Sequence, residues 1–272
     1  MTQMLFVEVF ISLLGACIGS FLNVCIVRLP KEESVVAPGS HCVACKKPVA
    51  WFDNIPLISY IALGGKCRYC KTKFSFRYFF VELLTALTFW VFYKVFGLTW
   101  LTFAYLIMAC GFIVATFVDF EHRIIPDEVS VGGMGVGLLL SFLIPELQGF
   151  VVGYGNWLIH LKALGFSIIG VLVGGGSIYL MGLAGDLILK KESMGGGDVK
   201  LMAMIGAFMG WKLALLTFFL APFFGAFYGI AEKIRTKDSA IAYGPFIVLA
   251  ALTSLFYGQW IILWILNGYR LR

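Results

Sequence analysis

The chain has 272 residues, 60% of them hydrophobic and only 13% charged, with a mean hydropathy of +0.92. One soluble core of this size cannot hide so much apolar surface, so a water-soluble globular fold is excluded and a lipid bilayer is the expected solvent. The net charge of +6 calls for no nucleic-acid partner, because basic loops beside an anionic leaflet account for it.

A helix crosses roughly 30 Å of hydrocarbon with about 20 mostly apolar residues. In chain order the candidate spans are 4–27, 79–96, 99–118, 129–144, 159–188, 199–211, 213–231 and 241–266. The expected fold class is an all-α polytopic membrane protein with about eight transmembrane helices, although the fourth and sixth stretches are short. No Lys or Arg precedes the first stretch, which has full spanning length, so it reads as a retained helix, not a cleaved signal. Arg28 and Lys31 follow it and set the N-terminus outside. Loops 28–78, 119–128, 189–200 and 232–240 then share one side and carry 16 of the 21 Lys and Arg. Only Lys94, Lys162, Lys212, Arg270 and Arg272 remain on the other. By the positive-inside rule the first side is cytoplasmic.

The expected domains are a first transmembrane helix at 1–27, a polar cytoplasmic loop domain at 28–78 and a transmembrane core at 79–272. Fifty residues bury little apolar surface, so the loop domain needs a staple. Cys42, Cys45, Cys67 and Cys70 form two CxxC pairs separated by 21 residues, close to zinc-ribbon spacing. Two turns, each presenting two thiolates, complete a tetrahedral zinc site with no open position, which makes the metal structural. Two disulfides are the alternative, disfavoured on a reducing cytoplasmic side. His41 reads as a solvated neighbour, and Cys17, Cys25 and Cys110 as small core residues. The Gly clusters at 132–137 and 174–176 read as close helix packing. No 20 to 50 residue repeat stands out.

Carboxylates at the ends of apolar spans are functional candidates. Asp119 ends the third span, and Asp198 opens the sixth after Gly195-Gly196-Gly197. Both loops fall on one side, at similar depth. Two close carboxylates share one proton: the ionised member activates water against a peptide carbonyl, and the protonated member stabilises the oxyanion. Glycines before Asp198 let a peptide substrate approach closely. Asp127 and Asp186 compete for the same role on these grounds, Lys190 lying one turn from Asp186. Glu8, Glu146 and Glu232 read as interface markers, and Glu82 as a buried structural partner.

Several ordered segments resemble the type IV prepilin peptidases, of the GxGD class of intramembrane aspartic peptidases. They are Gly19-Ser20-Phe21-Leu22-Asn23-Val24 with Arg28-Leu29-Pro30, Trp51-Phe52-Asp53-Asn54-Ile55-Pro56-Leu57, Ile125-Pro126-Asp127, Gly195-Gly196-Gly197-Asp198-Val199-Lys200 and Tyr243-Gly244-Pro245-Phe246. The resemblance implies Asp119 and Asp198 as the catalytic pair, supported by Pro126, Asp127, Gly195, Gly197 and Lys200. It implies removal of the basic leader from a membrane-inserted prepilin or pseudopilin at the cytoplasmic face of the bacterial inner membrane. It also implies methylation of the new N-terminus with S-adenosylmethionine, whose site the sequence does not locate. Phe79 and Phe80 depart from the family's Pro after Arg-Tyr, and Val43 from its Pro in the first CxxC. The four intact thiols point to a bifunctional member. The rival readings are a proton-coupled transporter using the same acids and a membrane scaffold that docks a partner through its zinc loop.

Overall fold

The computed structural model describes residues 2–151, 157–190, 194–236 and 242–266. Residues 191–193, 237–241 and 267–272 lie outside these, as do the side chains of 227–236, so most of the basic loop 232–240, Glu232, Arg270 and Arg272 are not described. The helices are α1 (Thr2–Arg28), short α2 (Ile58–Ala62), α3 (Phe76–Phe96), α4 (Trp100–His122), α5 (Asp127–Leu143), α6 (Leu158–Leu189), α7 (Gly196–Thr236) and α8 (Gly244–Leu266). Three short 3-10 turns, Leu29–Lys31, Trp51–Asn54 and Pro145–Gln148, and two isolated β-bridges accompany them among the described residues.

Six of these, α1, α3, α4, α6, α7 and α8, are long and apolar enough to cross a membrane. Their outward faces carry large apolar side chains such as Phe6, Phe10, Leu172, Leu180, Phe219 and Phe223. Such a surface suits lipid and not water. At 17 residues, α5 measures about 25 Å and falls short of the hydrocarbon thickness. α7 is not one rod, because Gly210 breaks it with φ 73° and ψ 170°. Met202 and Ala214 both lie against Gly174, although a straight helix would hold them about 18 Å apart. The chain therefore reverses at Gly210, and the arms 196–209 and 211–236 are the predicted sixth and seventh segments. Each of the eight predicted segments is helical over most of its described residues.

The chain divides into two compact units, Met1–Val114 and Ala115–Arg272. In the first, α1 packs on α3 through glycines: a Cβ on Gly15 would stand 2.8 Å from Phe89 Cβ, and one on Gly19 2.8 Å from Glu82 Cα. Small residues four apart permit such backbone approach in lipid. At the far end of this pair, Glu8 holds Lys94 at 2.9 Å and Trp90 at 3.0 Å, so it is an ion-pair partner and more than an interface marker. Cys25 is buried and Cys110 half-buried as core residues, but Cys17 is exposed. It sits on the face of α1 that the apolar run alone does not distinguish from the packed one.

In the second unit α6 meets the first arm of α7 at Gly170 and Gly206, where a Cβ on either residue would overlap the other's carbonyl. α5 runs beside the same arm, with Gly133 on Met204 and Gly137 on Phe208. Carbonyls at a helix end need donors from elsewhere, and no water is available at membrane depth. Just before the break, the Ala207 carbonyl accepts from Ser167 Oγ at 2.6 Å, Ser141 Oγ at 3.0 Å and Gln148 Nε2 at 3.0 Å. Three polar side chains from three segments thus stabilise one interruption. A Gly206→Leu variant should lose about 1–3 kcal/mol through overpacking, read as a lower melting temperature in detergent.

Candidate active site and metal centre

Helix α4 runs past the predicted end of its span, so Asp119 sits in its last turn and is only 5% exposed. The helix ends when the Arg123 N–H returns to the Asp119 carbonyl at 2.9 Å with Arg123 at φ 56°. Pro126 then fixes the start of α5. The Gly244 N–H, at the start of α8, donates to Asp119 Oδ2 at 2.8 Å in a buried bond. A Cβ on Gly244 would fall 2.8 Å from that oxygen and 3.3 Å from Ile125 Cδ1. Only glycine leaves the carboxylate where it is.

Helix α7 begins at Gly196, earlier than predicted, so Asp198 lies in its first turn, half-buried, with its N–H bonded to the Gly195 carbonyl at 3.1 Å. Asp119 is the charged group that acts on it. Gly197 packs on buried Ile125, where a Cβ would stand 3.2 Å from Ile125 Cβ. A Cβ on Gly195 would meet only ordinary contact with Asp198, and one on Gly196 nothing. Close approach is thus required at Gly197 alone. Burial, and then the charge of Asp198, push the Tyr243 phenol up to about 12, which keeps its hydroxyl a proton donor beside the acids.

The structure separates the competing acids. Asp127 pairs with Lys200 Nζ at 2.7 and 2.8 Å on an exposed surface, so the two motif residues tie α5 to the first arm of α7. Asp186 lies exposed near the end of α6, where its carbonyl accepts the Lys190 N–H.

In the other unit the four thiols of Cys42, Cys45, Cys67 and Cys70 lie within 4.8 Å of one another. Cys42 and Cys70 are 3.7 Å apart, and Cys45 and Cys67 4.0 Å. A tetrahedron with about 2.3 Å zinc–sulfur bonds has edges of about 3.8 Å, so the spacing fits zinc. No disulfide forms. Each pair is built alike: Cys42 N–H to Lys47 O and Lys46 N–H to Cys42 O recur as Cys67 to Thr72 and Lys71 to Cys67. Lys46 and Lys71 take left-handed φ of 58° and 60°. The two CxxC-Lys segments thus form one short structural repeat. Thr72, by its hydroxyl and then its N–H, draws the Cys70 thiol down to about 6. The Lys47 amide lowers Cys45, but burial and the other thiols raise it to about 11. Full ionisation therefore waits on a cation. His41 is exposed and bonds the Gly39 carbonyl, outside the cluster.

Residues 13–96 match the Bacterial Peptidase A24 N-terminal domain, and 106–230 the Type IV leader peptidase family. A prepilin leader peptidase/N-methyltransferase of Pseudomonas aeruginosa is 32% identical over 91% of this chain and 89% of its own. The chain belongs to the type IV leader peptidase family. Proteins of the same printed name from Myxococcus xanthus and Aeromonas hydrophila are 36% and 32% identical. The alignments cover 84% and 94% of this chain, and 64% and 93% of the relatives. No solved structure matches it significantly. With its six apolar helices, this family member is a multi-pass protein of the inner membrane.

Two site positions in this leader peptidase carried no role in the sequence reading, Tyr243 and Gly244. Their motif was visible, but only the fold brings α8 to Asp119, 125 residues earlier. The purified protein should hold one zinc per chain. Acidification should release it, because protons compete with the metal for each thiolate; metal content against pH checks this.

Proposed function

We infer that this chain removes the basic leader of a type IV prepilin or pseudopilin and then methylates the amine that the cut exposes. The observation that carries the reading is the convergence of Asp119 and Asp198 at helix ends, with Asp119 buried against the Gly244 amide. Its relatives are named for both activities. In our reading one acid takes a proton from water as the oxygen attacks the scissile carbonyl, and the other donates to the forming oxyanion. The Gly244 N–H fixes which oxygen of Asp119 is free to act. Tyr243 supplies a further donor at the same place.

The basic loops argue for a cytoplasmic active site, where a leader bearing positive charge remains after its apolar helix has inserted. A zinc held by the four cysteines is structural here, because four thiolates leave no ligand position for substrate. S-adenosylmethionine as methyl donor supplies an electrophilic methyl group on a sulfonium. The transporter reading is not favoured, since the family is named for peptide cleavage.

The deciding experiment incubates the purified protein with a prepilin peptide and follows cleavage and methylation by mass. Asp119→Asn and Asp198→Asn should each lower cleavage by about 10⁴-fold, and full processing by either variant removes that residue from the mechanism. Gly244→Val, which pushes the Asp119 carboxylate aside, should cost about 100-fold in cleavage rate while zinc content stays at the wild-type level.

A further inference from the structure

The first unit holds a half-open cavity of about 160 Å³ between α1, α3 and the cysteine loop, whose lining includes Ser20, Asn23, Asn54, Tyr60, Tyr78 and Glu82. Neither catalytic candidate and none of the four clustered cysteines lines it. Asn23 is 3% exposed, and its Nδ2 donates to the Tyr78 carbonyl at 2.9 Å and the Gly19 carbonyl at 3.4 Å. Those bonds fix the amide's orientation and leave its carbonyl oxygen buried with no donor. Buried polar atoms are rarely left so. Glu82 lies on the same lining with its carboxylate held in place. Oε2 accepts the Leu57 N–H at 2.7 Å, from a residue at φ 62°, and the Ser20 hydroxyl also bonds it. Asp53, the other acid here, is occupied by Arg68 at 2.5 and 2.7 Å. Lys66 also lines the cavity but is exposed.

An unpaired carbonyl and a fixed carboxylate lack a ligand that donates N–H bonds and carries positive charge. The rings of Tyr60, Phe74 and Tyr78 on the lining favour the same charge. A volume near 150 Å³ holds a benzene-sized group, which suits the end of one residue. A wider groove of about 410 Å³ shares Ser20, Ser40 and Asn54 with it.

We propose that this cavity receives the N-terminal ammonium of the cut pilin, with Glu82 as the base that frees its lone pair and the Asn23 carbonyl as second acceptor. The inference rests on the methyltransferase half of the reading above. Glu82 takes one proton from the ammonium. The neutral amine attacks the methyl carbon of the sulfonium donor, a C–N bond forms, and the C–S pair returns to sulfur. The products are a secondary ammonium, a neutral thioether and the proton on Glu82.

The test uses zinc-loaded protein in nanodiscs and a leaderless pilin peptide with either a free or an acetylated N-terminus. The wild type should bind the free amine about tenfold or more tightly, a comparison that needs no variant. Glu82→Gln, whose amide oxygen still accepts the Leu57 N–H, should erase that preference. It should also slow methyl transfer by about 10²–10⁴-fold, with leader cleavage and zinc content at wild-type levels. Equal binding of both peptides, displacement of the peptide by S-adenosylhomocysteine, or normal methylation by Glu82→Gln would each overturn the proposal. Cleavage without methylation, with the amine preference intact, would remove the methyltransferase reading and leave the amine pocket standing.

Discussion

A single backbone N–H, that of Gly244, holds a buried carboxylate at the end of α4 and so joins two helix ends separated by 125 residues. A carboxylate with 5% exposure in an apolar bundle needs its oxygens satisfied by the protein. One oxygen is bound and its position is set by a residue without a Cβ. Ile125 completes the arrangement: it packs on Gly197 on one side and Gly244 on the other, which brings α7 and its Asp198 to the same end. Ile125, Pro126 and Asp127 thus form one device, in which Ile125 spaces the helix ends, Pro126 starts α5 and Asp127 grips Lys200. The positions of both acids thus depend on neighbours whose own part is structural.

The same rule of internal satisfaction explains the break in α7. Reversal at Gly210 strands carbonyls where no water reaches, and Ser141, Gln148 and Ser167 converge on Ala207 to supply donors. The reversal keeps the first arm short, so Asp198 opens a 14-residue helix held on one face by α6 and beside α5. Glycines at 133, 137, 170, 174 and 206 let those helices close in. The dense glycine content serves packing around the first arm of α7, and among the described residues Gly197 and Gly244 are the glycines in close contact at the candidate site.

Much of this was legible in the sequence, and the reasons are physical. Apolar length marked the full spans because hydrocarbon imposes one dimension on them, and the short α5 and first arm of α7 were visible only as apolar runs between polar breaks. The two CxxC pairs were readable because metal geometry ties ligand spacing to local turns. Asp119 and Asp198 could be named as candidates from charge at span ends. Their separation from Asp127 rested on resemblance, since no periodicity reveals that Lys200 occupies Asp127. The exposure of Cys17 was missed because a uniformly apolar helix hides which face packs. The roles of Gly244 and Tyr243 depended on tertiary contact alone.

Two buried amide carbonyls show what the bundle tolerates. The Ala207 carbonyl has three donors, whereas the Asn23 carbonyl has none, although its own amide nitrogen is fully engaged. Desolvating a carbonyl without a partner is unfavourable wherever it occurs, so the contrast marks a difference in purpose. Around Ala207 polar side chains are used to mend the backbone. Beside Asn23 the chain places a second acceptor, Glu82, fixes it with the N–H of a residue in left-handed conformation, and leaves a cavity next to both. A core built only for stability would have filled that space with an apolar side chain or a donor of its own. The unit that carries the four clustered cysteines therefore also carries an unfilled demand for hydrogen-bond donors, separate in its residues from the aspartate pair. On our proposal the two reactions then draw on different residues, the aspartate pair for the cut and Glu82 for the amine it releases, so that neither set has to serve both proton transfers.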